Sequence, residues 1–183
     1  MAWPSNTGDL FADVAFPMVV GVEGSYDITR EDRGNWTSGQ IGVGTLRGTK
    51  YGISAAAFPT LDIANLTLEV AQSLYRHLYW RRICADSLPP RVAVLLFDGA
   101  VNQGQRTAVI ILQTLVGVEQ DGFVGPQTLA AVAKVQSDIL FIEIEAQRLL
   151  AYARAAAFDT FGLGWMRRIA TVSYRTLTQQ IPA

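Results

Sequence analysis

Residues 19–34 read VVGVEGSYDITREDRG, an apolar run that ends in a carboxylate, Glu23, followed at once by glycine. Nine positions further on, Asp32 sits in a segment crowded with charge and turn formers. An acid delivered by Val19, Val20, Gly21 and Val22 is expected to lie against apolar surface. There desolvation disfavours the charged form and raises the pKa above the ~4.3 of a free glutamate, which suits a general acid working near neutral pH. Asp32 has the opposite setting, because Arg30 and Arg33 beside it favour the ionised form. Two carboxyls with pKa values pushed apart are the pattern of glycosidic bond cleavage. The plainer alternative makes Glu23 a helix-end carboxylate and Asp32 a loop ion-pair partner, and spacing alone does not choose between them.

The rest of the chain bounds the choice. Its 183 residues fit one domain, or one compact domain with a helical annex. Half the residues are hydrophobic and 17% are charged, so a substantial core is available. The net charge of −1 gives no ground for nucleic acid or a membrane surface as partner. One cysteine, Cys84, excludes an intramolecular disulfide and a multi-cysteine zinc site. One histidine, His77, leaves no material for a histidine triad plus a metal site, so neither metal nor organic cofactor is expected. No Lys or Arg precedes Arg30, so the basic flank of a secretory signal is missing. The apolar residues 14–22 contain Pro17 and fall far short of the ~20 needed to span a bilayer. The expectation is a protein held in the cytoplasm until something else releases it.

Hydrophobic periodicity predicts a mainly α protein. A first helix begins at Asp9, carries Leu10, Phe11, Val14, Met18 and Val22 on one face, and ends near Glu23 and Gly24. Residues 25–39 read as irregular, and QIGVGTLRGTKYGIS (40–54) as two short strands joined near Arg47 and Gly48. Thr67 is a plausible N-cap for a helix whose stripe is Ala71, Leu74, Tyr75 and Leu78. Further helices are expected over 92–101 and 105–115, from Pro126, from Ser137, and over about 165–179 after punctuation by Gly162 and Gly164. In RHLYWRR (76–82) the aromatics recur at helical spacing, so core packing with solvated arginines is preferred to a nucleic-acid patch. GVGTLRG (42–48) lacks the ending of a phosphate loop.

Several separated motifs then converge. Glu23-Gly24-Ser25-Tyr26, Asp32-Arg33-Gly34-Asn35 and Thr49-Lys50-Tyr51-Gly52-Ile53-Ser54 match, in order, an E-G-G-Y segment, a D-P-G-G turn and a T-N-Y/F-G-I-T strand. YW (79–80), LFDGAVNQG (96–104), LQTLVGVEQDGFVGPQTL (112–129) and GWMRR (164–168) extend the match over residues 10–174. The sequence resembles glycoside hydrolase family 108, the bacterial and phage N-acetylmuramidases. Ser25 stands in place of the second glycine, Arg33 in place of the proline, and residues 36–48 are an insertion.

The resemblance implies a lysozyme-like fold with one small β-hairpin at the active-site cleft. It implies a catalytic region over 9–99 and a helical peptidoglycan-binding region over 100–180 packed against it. The implied activity is that of a lysozyme cutting the β-1,4 bond between N-acetylmuramic acid and N-acetylglucosamine. Glu23 would be the acid; Asp32 and Thr49 would hold and activate a water, implying inversion. Thr37 is the alternative to Thr49. Tyr26 and Tyr51 could offer rings or hydroxyls to the glycan, or be core tyrosines. Asp98 and Asn102, one helical turn apart, either bind sugar amides or tie helices together. The expected partner is bacterial peptidoglycan, met by a monomer that a holin or a secretion pore lets reach the wall, as for a phage or prophage endolysin. A lytic transglycosylase using Glu23 alone, and a non-catalytic wall-binding protein, are the rivals.

Overall fold

Pro89 and Pro90 break the chain and start the helix on which one body of the protein is built. Pro90 occupies the first turn of α3 (Pro90–Gly99), where its missing N–H costs nothing. Every residue of α3 from Val92 to Gly99 is buried, as the unbroken apolar run Val92 to Phe97 demands of a helix with no polar face. The computed structural model describes residues 8–21, 24–179 and 181. These form two compact bodies, one from the chain up to residue 19 together with residues from 76 onward, the other from residues 20–75.

In the first body, the N-terminal helix is π-wound over Phe11–Ala15 and α-helical in α1 (Phe16–Val19). Phe11 meets Trp80 and Phe97 at ring-centroid separations of 5.3 and 5.6 Å, and Trp80 meets Phe97 at 5.6 Å, in tilted or edge-on packing. Trp80 lies on the π-helical segment Arg76–Trp80, and its indole N–H donates to Asp86 at 2.6 Å. Arg76 stacks over the Phe11 ring at 4.4 Å and pairs with Asp9. Arg81, Arg82 and His77 are exposed, so in RHLYWRR Trp80 joins the core and the charges other than Arg76 are solvated. The first helix stops earlier than expected. It ends at Val19, and Gly21 (φ 89°), not Gly24, takes the left-handed conformation that terminates helices.

Helices α4 (Gln105–Val116), α5 (Pro126–Val132), α6 (Ser137–Ala153) and α7 (Phe158–Thr178) complete this body, with α6 and α7 packed on α3 and on each other. Pro126 sits in the first turn of α5 as its sequence implied. The last helix starts seven residues before the expected Trp165, and Gly162 and Gly164 lie inside it. Gly162 does not punctuate: a Cβ there would overlap the Phe158 ring, so the glycine makes room for a side chain one turn back. No helix among the described residues is long and apolar enough to cross a membrane.

The second body holds the only β-sheet found among the described residues. Strand β1 (Thr49–Lys50) pairs antiparallel with β2 (Ile53–Ser54), Thr49 opposite Ser54. The hairpin therefore turns at Tyr51 and Gly52 rather than at Arg47 and Gly48. Residues 40–48 are a turn-rich loop closed by a bridge between Trp36 and Leu46. Thr67 heads α2 (Leu68–Tyr75) as expected, its hydroxyl accepting from the Val70 N–H at 3.4 Å. Ala71 and Tyr75 are its buried positions.

Candidate active site

The polar segment after Glu23 folds into a turn organised around Asn35, the last residue of the Asp32-Arg33-Gly34-Asn35 motif. Asp32 caps a short 3-10 turn, Arg33–Asn35, its Oδ1 accepting the Gly34 N–H at 2.7 Å. The turn delivers Asn35 into the interior, where it has no exposed surface. Asn35 Nδ2 donates to Asp27 Oδ2 at 3.2 Å and to the Thr29 carbonyl at 3.0 Å. With both amide hydrogens committed, Oδ1 faces Thr49, whose hydroxyl donates to it at 2.7 Å. The Asn35 carbonyl also accepts from the N–H groups of Arg47 (2.9 Å) and Gly48 (3.0 Å). A buried amide must be satisfied on every side, and this one is.

Asp27 runs antiparallel to Thr49, each N–H donating to the other's carbonyl at 2.9 and 2.8 Å. Its carboxylate Oδ1 accepts the Thr29 hydroxyl at 2.6 Å and the Thr29 N–H at 2.9 Å. These bonds, the Thr29 hydroxyl first, hold the Asp27 carboxyl below its ordinary value of 3.8, so it is ionised at neutral pH. The Thr49 hydroxyl, its proton given to Asn35, keeps lone pairs free to accept from a further donor such as water.

Tyr26 is 43% exposed and lines a cleft of about 390 Å³ with Leu46, Arg47, Thr60, Asp62 and Ile63. Its hydroxyl donates to the Arg47 carbonyl at 3.0 Å, which fixes the ring at the cleft wall. Asp62 is drawn below its ordinary value chiefly by the Asn65 amide, with Arg47 adding a smaller attraction, so the cleft carries both charges. Gly48 must be glycine, since its φ is +76° and a Cβ would strike the Asp27 carbonyl and the Tyr26 ring. Tyr51 is at the hairpin turn with a positive φ of 51°. Its ring lies where a Cβ on Gly24 would be, and its carbonyl accepts the Tyr75 hydroxyl at 3.1 Å. The glycine that follows Glu23 is thus the seat for the Tyr51 ring.

Glu23 itself, with the apolar setting expected for it, lies outside the described residues. Thr37 serves the inserted loop, its hydroxyl accepting the Thr45 N–H at 2.9 Å. Asp98 is fully buried in α3, with Oδ2 at 2.6 Å from Arg148 of α6 and Oδ1 at 2.7 Å from Arg168 of α7. Asn102 Nδ2 donates to the Asp98 carbonyl at 2.8 Å and to its Oδ1 at 3.1 Å. The buried Asp98 thus ties α3 to α6 and α7, while Asn102, bonded to it, is exposed. No cluster of metal-ligating side chains occurs among the described residues.

The role of Asn35 has little local signal, because Asp27, Thr29, Arg47, Gly48 and Thr49 converge on it only once the turn and hairpin have folded. The one available signal was an asparagine in the last place of a D-P-G-G turn, where glycine would have no side chain to bury.

The chain matches the family model of glycosyl hydrolase 108 over residues 16–104 and that of a predicted peptidoglycan domain over residues 107–170. A solved structure, that of SagA from Brucella abortus, is 35% identical to it, with the match covering 91% of this chain and 93% of that one at a TM-score of 0.74. Comparison with curated protein sequences gives no match. The fold is the mainly helical, lysozyme-like one with a small antiparallel hairpin. The chain belongs to glycoside hydrolase family 108, as a glycosidase of peptidoglycan with a peptidoglycan domain in its C-terminal half.

Proposed function

We propose that the protein is a muramidase that hydrolyses the β-1,4 bond between N-acetylmuramic acid and N-acetylglucosamine with inversion at the anomeric carbon. The observation that carries this reading is the Thr49 hydroxyl, pinned as a donor to Asn35 on the turn that Asp32 caps. A water that gives one proton towards Thr49 Oγ1 and the other to the exposed Asp32 carboxylate turns a lone pair on the sugar. Asp32 is then the general base, Thr49 the residue that holds the water, and Glu23 the acid that protonates the leaving oxygen. Tyr26, on the cleft wall, is the candidate platform for a sugar ring, and Tyr51 supports the segment after Glu23. Catalysis is assigned to residues 9–99 and wall binding to 100–180.

A turbidity assay on permeabilised Gram-negative cells tests the reading. Glu23→Gln keeps the shape and removes the proton source, so lysis is expected to vanish. Lysis that persists above about a tenth of wild type takes Glu23 out of the acid role, one general acid being worth at least ~10²-fold. Mass spectrometry of the products separates reducing ends, as proposed, from the 1,6-anhydro ends of a transglycosylase.

A further inference from the structure

Phe123 is 71% exposed, the most exposed large apolar side chain among the described residues. It does not hang on a loose loop. Gln113 of α4, 1% exposed, grips the segment from beneath: its Nε2 donates to Asp121 Oδ1 at 2.7 Å and to the Phe123 carbonyl at 2.9 Å. Its Oε1 accepts the Gly122 N–H at 2.9 Å. Asp121 Oδ1 also accepts the Phe123 N–H at 2.8 Å, and Gly122 takes a φ of +84° that only glycine adopts without strain. On the other side the Val124 carbonyl accepts from Cys84 Sγ at 3.3 Å. Residues 121–124 are therefore held in one conformation, which buries Val124 and presents the Phe123 ring to water.

The ring borders a cleft of about 410 Å³ whose rim carries the Glu119 carboxylate and the Gln127 amide, both on exposed residues, and whose floor includes Gln113 and Thr128. A fixed aromatic face beside exposed acceptors and an amide matches one ligand chemistry well. The C–H face of a pyranose stacks on the ring, while hydroxyls and N-acetyl groups reach the polar rim. An apolar protein surface would fit the rim poorly, and an acidic ligand would be repelled by Glu119 and by Asp121, which its bond from Gln113 keeps ionised.

We propose that Phe123, Glu119 and Gln127 form a second glycan site that stacks an N-acetylhexosamine unit of the peptidoglycan strand. The ligand class rests on the peptidoglycan reading above; the place and the mode of binding do not. The site lies within the residues matched to the predicted peptidoglycan domain, at a loop to which that match assigns no role.

The test is co-sedimentation of the full chain with purified sacculi, done with Glu23→Gln on ice so that no turnover enters the readout. Phe123→Ala is expected to weaken binding about fivefold to tenfold, the equivalent of one aromatic contact. Phe123→Leu should fall with it and Phe123→Trp should bind as tightly as wild type or more so. All three should melt with the parent protein, the side chain being in solvent. Binding by Phe123→Ala or Phe123→Leu within twofold of the parent overturns the proposal, as does a parent that does not sediment with sacculi. Chito-oligosaccharide, a soluble and neutral β-1,4 chain of N-acetylglucosamine, should compete the parent off intact sacculi; competition by free stem peptide and not by the sugar would make the ligand a peptide and end the glycan assignment. Lysis by the wild-type chain is scored separately, so a dead muramidase with an intact Phe123 effect, or the reverse, identifies which reading failed.

Discussion

Thr49 gives its hydroxyl proton to Asn35 at 2.7 Å, although the whole inserted loop, residues 36–48, separates them in the chain. Removing that acceptor frees the hydroxyl to rotate and leaves Asp27 short of a donor. Asn35→Ala is expected to cost roughly tenfold to a hundredfold in kcat, the scale of a misplaced reacting group. Asn35→Asp keeps an acceptor for Thr49 but sets a second carboxylate against Asp27. Its kcat on solubilised peptidoglycan should be lowest at neutral pH and recover as the pH falls and one of the pair takes a proton. A flat pH response relative to wild type would remove Asn35 from this role.

Asp32→Asn should cost roughly 10²–10⁴ in rate, the usual contribution of one general base. Thr49→Ala should cost less, since a neutral hydroxyl only holds the water. Thr37→Ala should leave kcat nearly unchanged, because its hydroxyl serves the Thr45 amide of the loop. Proton NMR of the first-formed products should show the α anomer. If Asp32→Asn retains wild-type rates, Asp27 or Glu31 becomes the base to test.

Asp27 carries a pH signature in stability. Its folded pKa lies below its ordinary value of 3.8, so the folded state favours the ionised form. The contribution is therefore present above the unfolded pKa and is lost as the pH falls through the folded one. Asp27→Asn also faces the Asn35 amide with a second amide. The melting temperature of this variant should trail the wild type at pH near 7, and the gap should close below about pH 4. A gap that stays constant into acid would show that charge has no part in it.

The Asp98 cluster should behave as structure. Arg148→Met leaves a buried carboxylate with one partner fewer and is expected to cost about 3–5 kcal/mol in urea unfolding. Arg168→Met should cost less, its side chain being 31% exposed. Neither should change kcat per folded molecule by more than about twofold, a surface-like effect.

What the sequence disclosed follows the range of the forces involved. Helices with apolar periodicity and a local start signal, Thr67 for α2 or Pro126 for α5, were legible because both signals are short-range. The hairpin was legible as a hairpin but not in its turn. Arg47-Gly48 and Tyr51-Gly52 both supply a glycine with positive φ, and the choice is made by Asn35, whose carbonyl captures the Arg47 and Gly48 amides. Gly162 read as a stop because nothing local announces that the Phe158 ring needs its space. Asp98 was undecided until Arg148 and Arg168, 50 and 70 residues away, arrived to bind it. The four predicted site residues of the turn and hairpin, Tyr26, Asp32, Thr49 and Tyr51, fall in one body; the buried amide of Asn35 was not foreseeable from spacing.

The first body is closed by residues from opposite ends of the chain: Arg168 donates to the Val19 carbonyl at 2.8 Å, and Thr176 meets the sulfur of Met18 at 3.6 Å. On a ribosome these partners are born about 150 residues apart, a wait of roughly 7–30 s at ordinary elongation rates. Throughout it Phe11 and Phe16 have no completed core to enter, so the first body can close only once α7 has been made. A stop codon at residue 165 would spare both acids and both tyrosines of the turn and hairpin, yet release a chain whose first helix never finds its lock.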